Sequence, residues 1–218
     1  MMKSSEFIEY MKEKYFGANY EKLVSIKAAY PPSGTKSFFI LTKDWAMGEL
    51  WHAEDAAWQA LRMKIDDETK VAMFEQSWEE ANHFQLLARY VRDKGESFDT
   101  AQWYNEVVMN APEWRAIYDY NPNDPILYFA ARNFAGETVG DYWMRRVSEL
   151  PDLEKKFRDE AVLPQIEDEG KHAPLGGRVL EKYCTTEDAQ RKAELGVQIG
   201  LSNNSKGVAA MLKHAGIG

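Results

Sequence analysis

The chain has 218 residues, of which 44% are hydrophobic and 28% charged, so residues 1–218 can form a single domain around one sizeable core. The net charge of −8 argues against a nucleic-acid partner, because nucleic acids select proteins with clustered positive charge. A single cysteine, Cys184, excludes an intramolecular disulfide framework and a cysteine-based metal site, and it fits a reducing compartment.

The apolar runs of the sequence are short. The longest, residues 126–131, is far below the roughly 20 residues that a membrane-spanning helix needs. The N-terminal residues lead directly into a charged amphipathic segment and lack the apolar stretch of a signal peptide. We therefore predict no membrane association and a cytoplasmic protein.

Helical periodicity dominates the first part of the chain. Apolar residues at helical spacing predict two short helices over residues 6–16 and 20–29. The run Phe-Phe-Ile-Leu at residues 38–41 is typical of a short strand, and residues 42–64 predict a long helix. This long helix is the first of four that we expect to form the core.

The remaining segments are also helical by pattern. We predict a helix over residues 66–94, capped by Asp66 and ended by Gly95, and another over residues 124–149, started by Asp124 and Pro125. A third helix is predicted over residues 152–172, with a kink at Pro164 and a looser chain from Pro174 to Gly177. A fourth is predicted over residues 189–212, after a cap at Thr186. Residues 96–123 predict a crossover with one or two short helices. The sequence thus predicts an all-α protein.

Glutamate stands three residues before histidine at three places in the chain. The pairs are Glu49 and His52, Glu80 and His83, and Glu169 and His172. On a helix this spacing puts an oxygen ligand and a nitrogen ligand on one face. Two such helices side by side can bind a pair of metal ions.

The order and spacing of the acids carry a family resemblance. Glu49 precedes Glu80 by 31 residues and Glu137 precedes Glu169 by 32, intervals that suit two antiparallel pairs of long helices. The order Glu, ExxH, Glu, ExxH resembles the ferritin-like di-iron carboxylate proteins, whose bundle takes these ligands from four helices. The resemblance covers residues 42–173 and implies a ferritin-like four-helix bundle with additional N- and C-terminal helices.

The resemblance also implies a set of six metal ligands, namely Glu49, Glu80, His83, Glu137, Glu169 and His172. Carboxylates can bridge two cations, and a neutral imidazole completes each site. The implied cofactors are two iron ions, with manganese as the alternative metal.

Three further residues are alternatives for this set. Glu54 shares a face with apolar residues of the first long helix, whereas Glu49 fits the spacing. His52 is either a third histidine ligand, as in the N-oxygenating members of the family, or a histidine beside the site. Asp168 in place of Glu169 would match the Asp-x3-His pattern of the haem-oxygenase-like di-iron oxidases, the second family that the sequence resembles.

The function implied by the resemblance is an oxidase or oxygenase with dioxygen as co-substrate. It would oxidise a small organic molecule, accept electrons from a donor protein and form a homodimer. A ferroxidase or iron-storage subunit is the main alternative, and a helical interaction domain without metal is another. Aromatic and small residues near the ligand helices are expected either to form the substrate pocket or to pack in the core: Trp51, Trp78, Phe134, Gly136, Gly140 and Trp143.

Overall fold

The computed structural model describes residues 2–17, 30–108 and 122–217. Of these residues 82% are helical, and no strand occurs among them, so the protein is all-α as predicted. No helix within the described ranges is both long enough and apolar enough to cross a membrane.

Seven helices make up the described part of the chain. They are α1 (Ser4–Phe16), α2 (Lys36–Arg62), α3 (Asp67–Asp93), α4 (Thr100–Trp103, followed by the π-helical turn Tyr104–Val108), α5 (Pro125–Phe129, π-helical Ala130–Glu137 and Thr138–Ser148), α6 (Lys155–Phe157, π-helical Arg158–Val162 and Leu163–Tyr183) and α7 (Glu187–His214).

Side-chain caps fix where the long helices begin. The side chains of Asp66, Asp124 and Thr186 accept hydrogen bonds from the first backbone N–H groups of α3, α5 and α7, as the sequence predicts. Helix α3 ends at Asp93, and Gly95 follows with a φ of 80°, a conformation that favours glycine.

The strand predicted over residues 38–41 is wrong, because these residues form the first turns of α2. Thr35 caps that helix by accepting a hydrogen bond from the N–H of Phe38, so the helix begins six residues before the predicted start. Phe38 and Leu41 are buried, and their core contacts outweigh a local preference for strand. The helix predicted over residues 20–29 lies outside the described residues.

The predicted end of the fourth core helix at His172 is also wrong. Helix α6 continues through Pro174 to Tyr183. Proline removes one backbone hydrogen bond, but the turns after it bury Leu175, Val179 and Leu180, and this packing keeps the helix continuous. A kink is predicted at Pro164, and the irregularity there is the π-helical turn Arg158–Val162, which ends two residues before the proline.

Two apolar clusters lie at opposite ends of the bundle formed by α2, α3, α5 and α6. One contains Met73, Phe134 and Leu175, and the other contains Trp45, Leu87 and Phe157. Along each helix, a buried glutamate separates residues of one cluster from residues of the other: Glu49 on α2, Glu80 on α3, Glu137 on α5 and Glu169 on α6. The acids therefore form a polar layer between two apolar layers.

The order of the clusters along each helix gives the helix directions. Helices α3 and α5 run from the first cluster to the second, whereas α2 and α6 run the opposite way. Helices α3 and α5 therefore share a direction, and the predicted crossover over residues 96–123 stands between them in sequence. Of that segment, residues 109–121 lie outside the described ranges.

Glycines bring the neighbouring helices close to α5. A Cβ at Gly176 of α6 would lie 2.5 Å from the backbone nitrogen of Phe134, and one at Gly196 of α7 would lie 2.7 Å from Cβ of Ala130. A Cβ at Gly200 of α7 would collide with the carbonyl oxygen of Ala131. The π-helical part of α5 is thus held tightly between α6 and α7.

Candidate metal centre

The structure brings together all six residues that the resemblance implies as ligands. They form two overlapping groups: Glu49, Glu80, His83 and Glu169, and Glu80, Glu137, Glu169 and His172. Within each group the ligand atoms lie within 4.8 Å of one another, and every member is buried. Glu80 and Glu169 belong to both groups, so each can bridge two cations while one glutamate and one histidine complete each site.

Hydrogen bonds from outside the groups orient both histidines. Nε2 of His83 lies 3.2 Å from Asp168, and Nε2 of His172 lies 2.9 Å from Glu79. A carboxylate at Nε2 holds the proton there and turns the Nδ1 lone pair inward. Nδ1 of His83 lies 3.2 Å from Glu80, and Nδ1 of His172 lies 3.3 Å from Glu80, so both face the carboxylate that the two groups share.

The two carboxylates that contact the histidines at Nε2, the outer carboxylates Asp168 and Glu79, each lie on the opposite helix from their histidine. Asp168 of α6 holds the histidine of α3, and Glu79 of α3 holds the histidine of α6. Lys171 lies 2.8 Å from Asp168 and 3.0 Å from Glu79, so one ammonium group contacts both acids. Partial burial raises the pKa of Asp168, but its interactions with Lys171 and His83 together outweigh this effect and the pKa is lowered.

Polar side chains position the glutamates as well. The amide nitrogen of Gln76 donates to Glu137 at 2.8 Å and to Glu80 at 3.3 Å. Asn133 donates to the amide oxygen of Gln76 at 2.7 Å and so fixes which end of that side chain faces the acids. The indole N–H of Trp45 donates to Glu49.

Burial and mutual repulsion shape the charge of the site in the metal-free chain. Burial raises the pKa of Glu49 well above its ordinary value, and the neighbouring Glu80 and Glu169 raise it further. Burial likewise raises the pKa of Glu169, with Glu137 and Glu80 adding to the effect. Burial alone would raise the pKa of Glu80 too, but its hydrogen bond to His83 and the charge of His172 lower it.

Two buried atoms of the candidate ligands show that the site fits a cation. Among the described residues, Nδ1 of His172 and Oε2 of Glu169 have no hydrogen-bond partner, although they lie 3.5 Å from each other. Leaving such atoms without a partner costs free energy, and a cation held between them would satisfy both. The donor set of carboxylates and imidazoles suits iron or manganese.

The three alternative residues lie outside both groups. Glu54 is exposed on α2. His52 is half-buried and borders a cavity beside the site. Asp168 contacts the site through His83 rather than as a member of either group.

A cavity of about 180 Å³ opens beside the carboxylates, between α2, α5 and α7. Glu49, Glu137 and Glu169 form part of its lining, whereas His83 and His172 do not. Most of the wall is apolar. The site thus has an outer side, where the histidines meet Asp168 and Glu79, and a cavity side, where the carboxylates are the only members of the two groups in the lining.

Of the residues expected to form a pocket or pack in the core, four line this cavity: Trp51, Gly136, Gly140 and Trp143. Two do not. Phe134 packs in the apolar cluster with α1, so the core alternative is confirmed for it, whereas Trp78 is 71% exposed on α3 and neither alternative holds.

Sequence reasoning named Asp168 only as an alternative ligand and missed the other residues that support the ligands. A signal for two of them is present, since an acid directly precedes the glutamate in both motifs, at Glu79 and at Asp168. Gln76 stands one helical turn before Glu80, on the same face. Asn133 and the α7 side of the cavity carry no local signal, because only tertiary packing brings them to the site.

Comparison with known proteins adds little to this picture. A family model described as berberine and berberine like matches residues 5–38, a short part of the chain that contains none of the six clustered residues. No curated protein and no solved structure matches the chain.

Proposed function

We propose that the chain is a non-haem di-iron oxidase or oxygenase of the ferritin-like kind, which uses dioxygen to oxidise a small organic molecule. The observation that carries this proposal is the pair of buried four-residue groups that share Glu80 and Glu169. Four acids in one buried layer are costly without cations, so the arrangement has a physical purpose only when positive charge is bound.

Each part of the site has a task in this proposal. Two bound iron ions would supply the electrons and the Lewis acidity that dioxygen reduction requires. The six clustered side chains would hold them, and Asp168 and Glu79 orient the histidines with Nδ1 directed inward. The apolar cavity binds the organic molecule beside the carboxylates and excludes bulk water.

Metal analysis of ligand variants tests the proposal. We expect the purified chain to contain about two iron or manganese ions, the number that paired carboxylate–histidine sites bind. The variants Glu80→Ala and His83→Ala should lose most of this metal. Glu75→Ala is the matched control, because Glu75 is an exposed acid on the same helix. Equal metal content in all four proteins would reject the site.

Oxygen consumption and particle size separate the oxidase from the storage alternative. The iron-loaded protein should consume dioxygen in the presence of an organic substrate and convert that substrate. A storage subunit would instead oxidise excess ferrous iron and sediment as a large spherical assembly. The electron-donor protein and the homodimer stay predictions that the same preparations can test.

A further inference from the structure

We propose that the cavity beside the carboxylates binds an uncharged molecule of about the size of one aromatic ring, and that Gly48 and Gly140 determine this size. The inference rests on the proposed function, since it takes the bound molecule to be the substrate of the metal centre. Three features of the cavity carry it: volume, glycine placement and charge.

The volume of the cavity sets the size of its ligand. An apolar cavity of about 150 Å³ holds one benzene molecule. The cavity here has about 180 Å³, which is room for one ring with a small substituent. Trp45 and Trp143 contribute to its wall and meet edge to face, with ring centroids 4.6 Å apart, a geometry that offers aromatic surface to a planar ligand.

The two glycines keep the cavity open next to the acids. Gly48 directly precedes Glu49 on α2, and Gly140 follows Glu137 by three residues, about one helical turn, on α5. An added Cβ at either glycine would meet no atom within 4 Å, so both border open space rather than a packed neighbour. This differs from Gly176, where an added Cβ would lie 2.5 Å from backbone. Gly48 and Gly140 therefore leave room for a ligand instead of allowing helices to approach.

The charges of the lining favour a neutral ligand. Four acids contribute to it: Asp44, Glu49, Glu137 and Glu169. Arg132 also lines the cavity, but its guanidinium lies 3.5 Å from Asp55 and 3.8 Å from the centre of the Trp51 ring, which offsets its charge. Asp44 is likewise paired, with Nδ1 of His214 at 2.8 Å, so neither residue offers an unpaired charge to a ligand. The mostly apolar wall would strip water from an organic anion without replacing its hydrogen bonds. It would strip water from an ammonium group in the same way.

Binding of small probes to the chelator-treated full chain tests the proposal. We expect toluene to bind in isothermal titration calorimetry, and benzoate and benzylamine, which have the same ring and opposite charges, to bind at least tenfold more weakly. Gly140→Leu and Gly48→Leu should each weaken toluene binding at least tenfold. Gly170→Leu is the matched control, because Gly170 is exposed on α6 and also has no atom within 4 Å of an added Cβ.

The outcomes distinguish this proposal from the proposed function. Absence of toluene binding, tighter binding of either charged probe, or unchanged toluene binding in both cavity variants would overturn the inference. Far-UV circular dichroism shows whether each variant is folded, and Gly140→Ala is a milder variant that should weaken binding in the same direction. A chain that binds metal but not toluene refutes the cavity proposal alone. One that binds toluene but no metal refutes the metal centre alone.

Discussion

At the scale of single residues, the site depends on two carboxylates outside the ligand set, Asp168 and Glu79. Asp168 and Glu79 each contact the outer nitrogen of a histidine and leave the inner nitrogen free to bind a cation. Outer partners of this kind typically contribute 10–100-fold to metal affinity, because they fix the tautomer and the ring orientation. Because each acid lies on one ExxH helix and contacts the histidine of the other, these contacts also connect α3 with α6.

We therefore expect Asp168→Asn and Glu79→Gln each to lower metal affinity about 10–100-fold while leaving all six ligands in place. Competition with a chromogenic chelator measures the change. The control is Glu167→Gln, which neutralises an exposed acid next to Asp168 on the same helix. If the control and the two test variants bind metal equally, the outer carboxylates do not position the histidines.

At the scale of elements, close helix contacts position the carboxylate of α5. Glu137 is the last residue of a π-helical stretch, and irregular turns of this kind occur often at functional sites. Helices α6 and α7 hold the stretch in place at glycines whose added Cβ atoms would collide with it. Glycine is needed at these contacts because a side chain would not fit. Its backbone freedom is not the reason, since neither Gly176 nor Gly200 has a positive φ.

Gly176→Ala should consequently destabilise the protein by about 1–3 kcal/mol, because the added methyl group must push α6 away from the backbone of α5. Gly170→Ala on the same helix should instead be stabilising by about 0.5–1 kcal/mol, since it meets no atom and reduces the freedom of the unfolded chain. Urea denaturation of both variants measures the difference. Equal and small changes at the two positions would show that the helices are not closely packed there.

At the scale of the whole molecule, the acidic layer couples folding to protons and to metal. The pKa values of Glu49 and Glu169 are raised by folding, so their ionisation destabilises the metal-free protein as pH rises above the unfolded value of about 4.3. Charges of Glu80 and Glu137 raise the pKa of His172 despite its burial. Its protonated form therefore stabilises the fold below about pH 6.5, and this contribution is lost as pH rises through the folded pKa. The lowered pKa of Glu80 stabilises the fold above about pH 4.3 and does not change this trend at higher pH.

We expect the chelator-treated protein to lose stability between about pH 5 and pH 8, the range set by carboxyl and imidazole groups with raised pKa values. The metal-loaded protein should behave in the opposite way, because protons compete with the metal for the same ligands. Chemical denaturation at several pH values measures both trends. The double variant Glu49→Gln/Glu169→Gln should flatten the metal-free trend, and an unchanged slope in that variant would assign the pH dependence to other groups.

The sequence by itself determined the helices and the ligand candidates, because both depend on local chemistry. Caps at Asp66, Asp124 and Thr186 follow from side-chain oxygens next to free N–H groups, and a glutamate three residues before a histidine shares its helix face. The local pattern predicted the wrong structure at residues 38–41 and after His172, because long-range packing determines the helix there. It also left Glu49 and Glu54 as alternatives, since both could lie on an inward face.

Only the tertiary structure decided which of these residues meet. Glu49 lies in the buried layer and Glu54 in solvent because α2 turns one face toward its neighbours. The crossed pairs of Asp168 with His83 and of Glu79 with His172 depend on the register between α3 and α6, which residue spacing within one helix does not encode. The cavity depends on α7, which lies far from the ligands in sequence and completes the wall through packing alone.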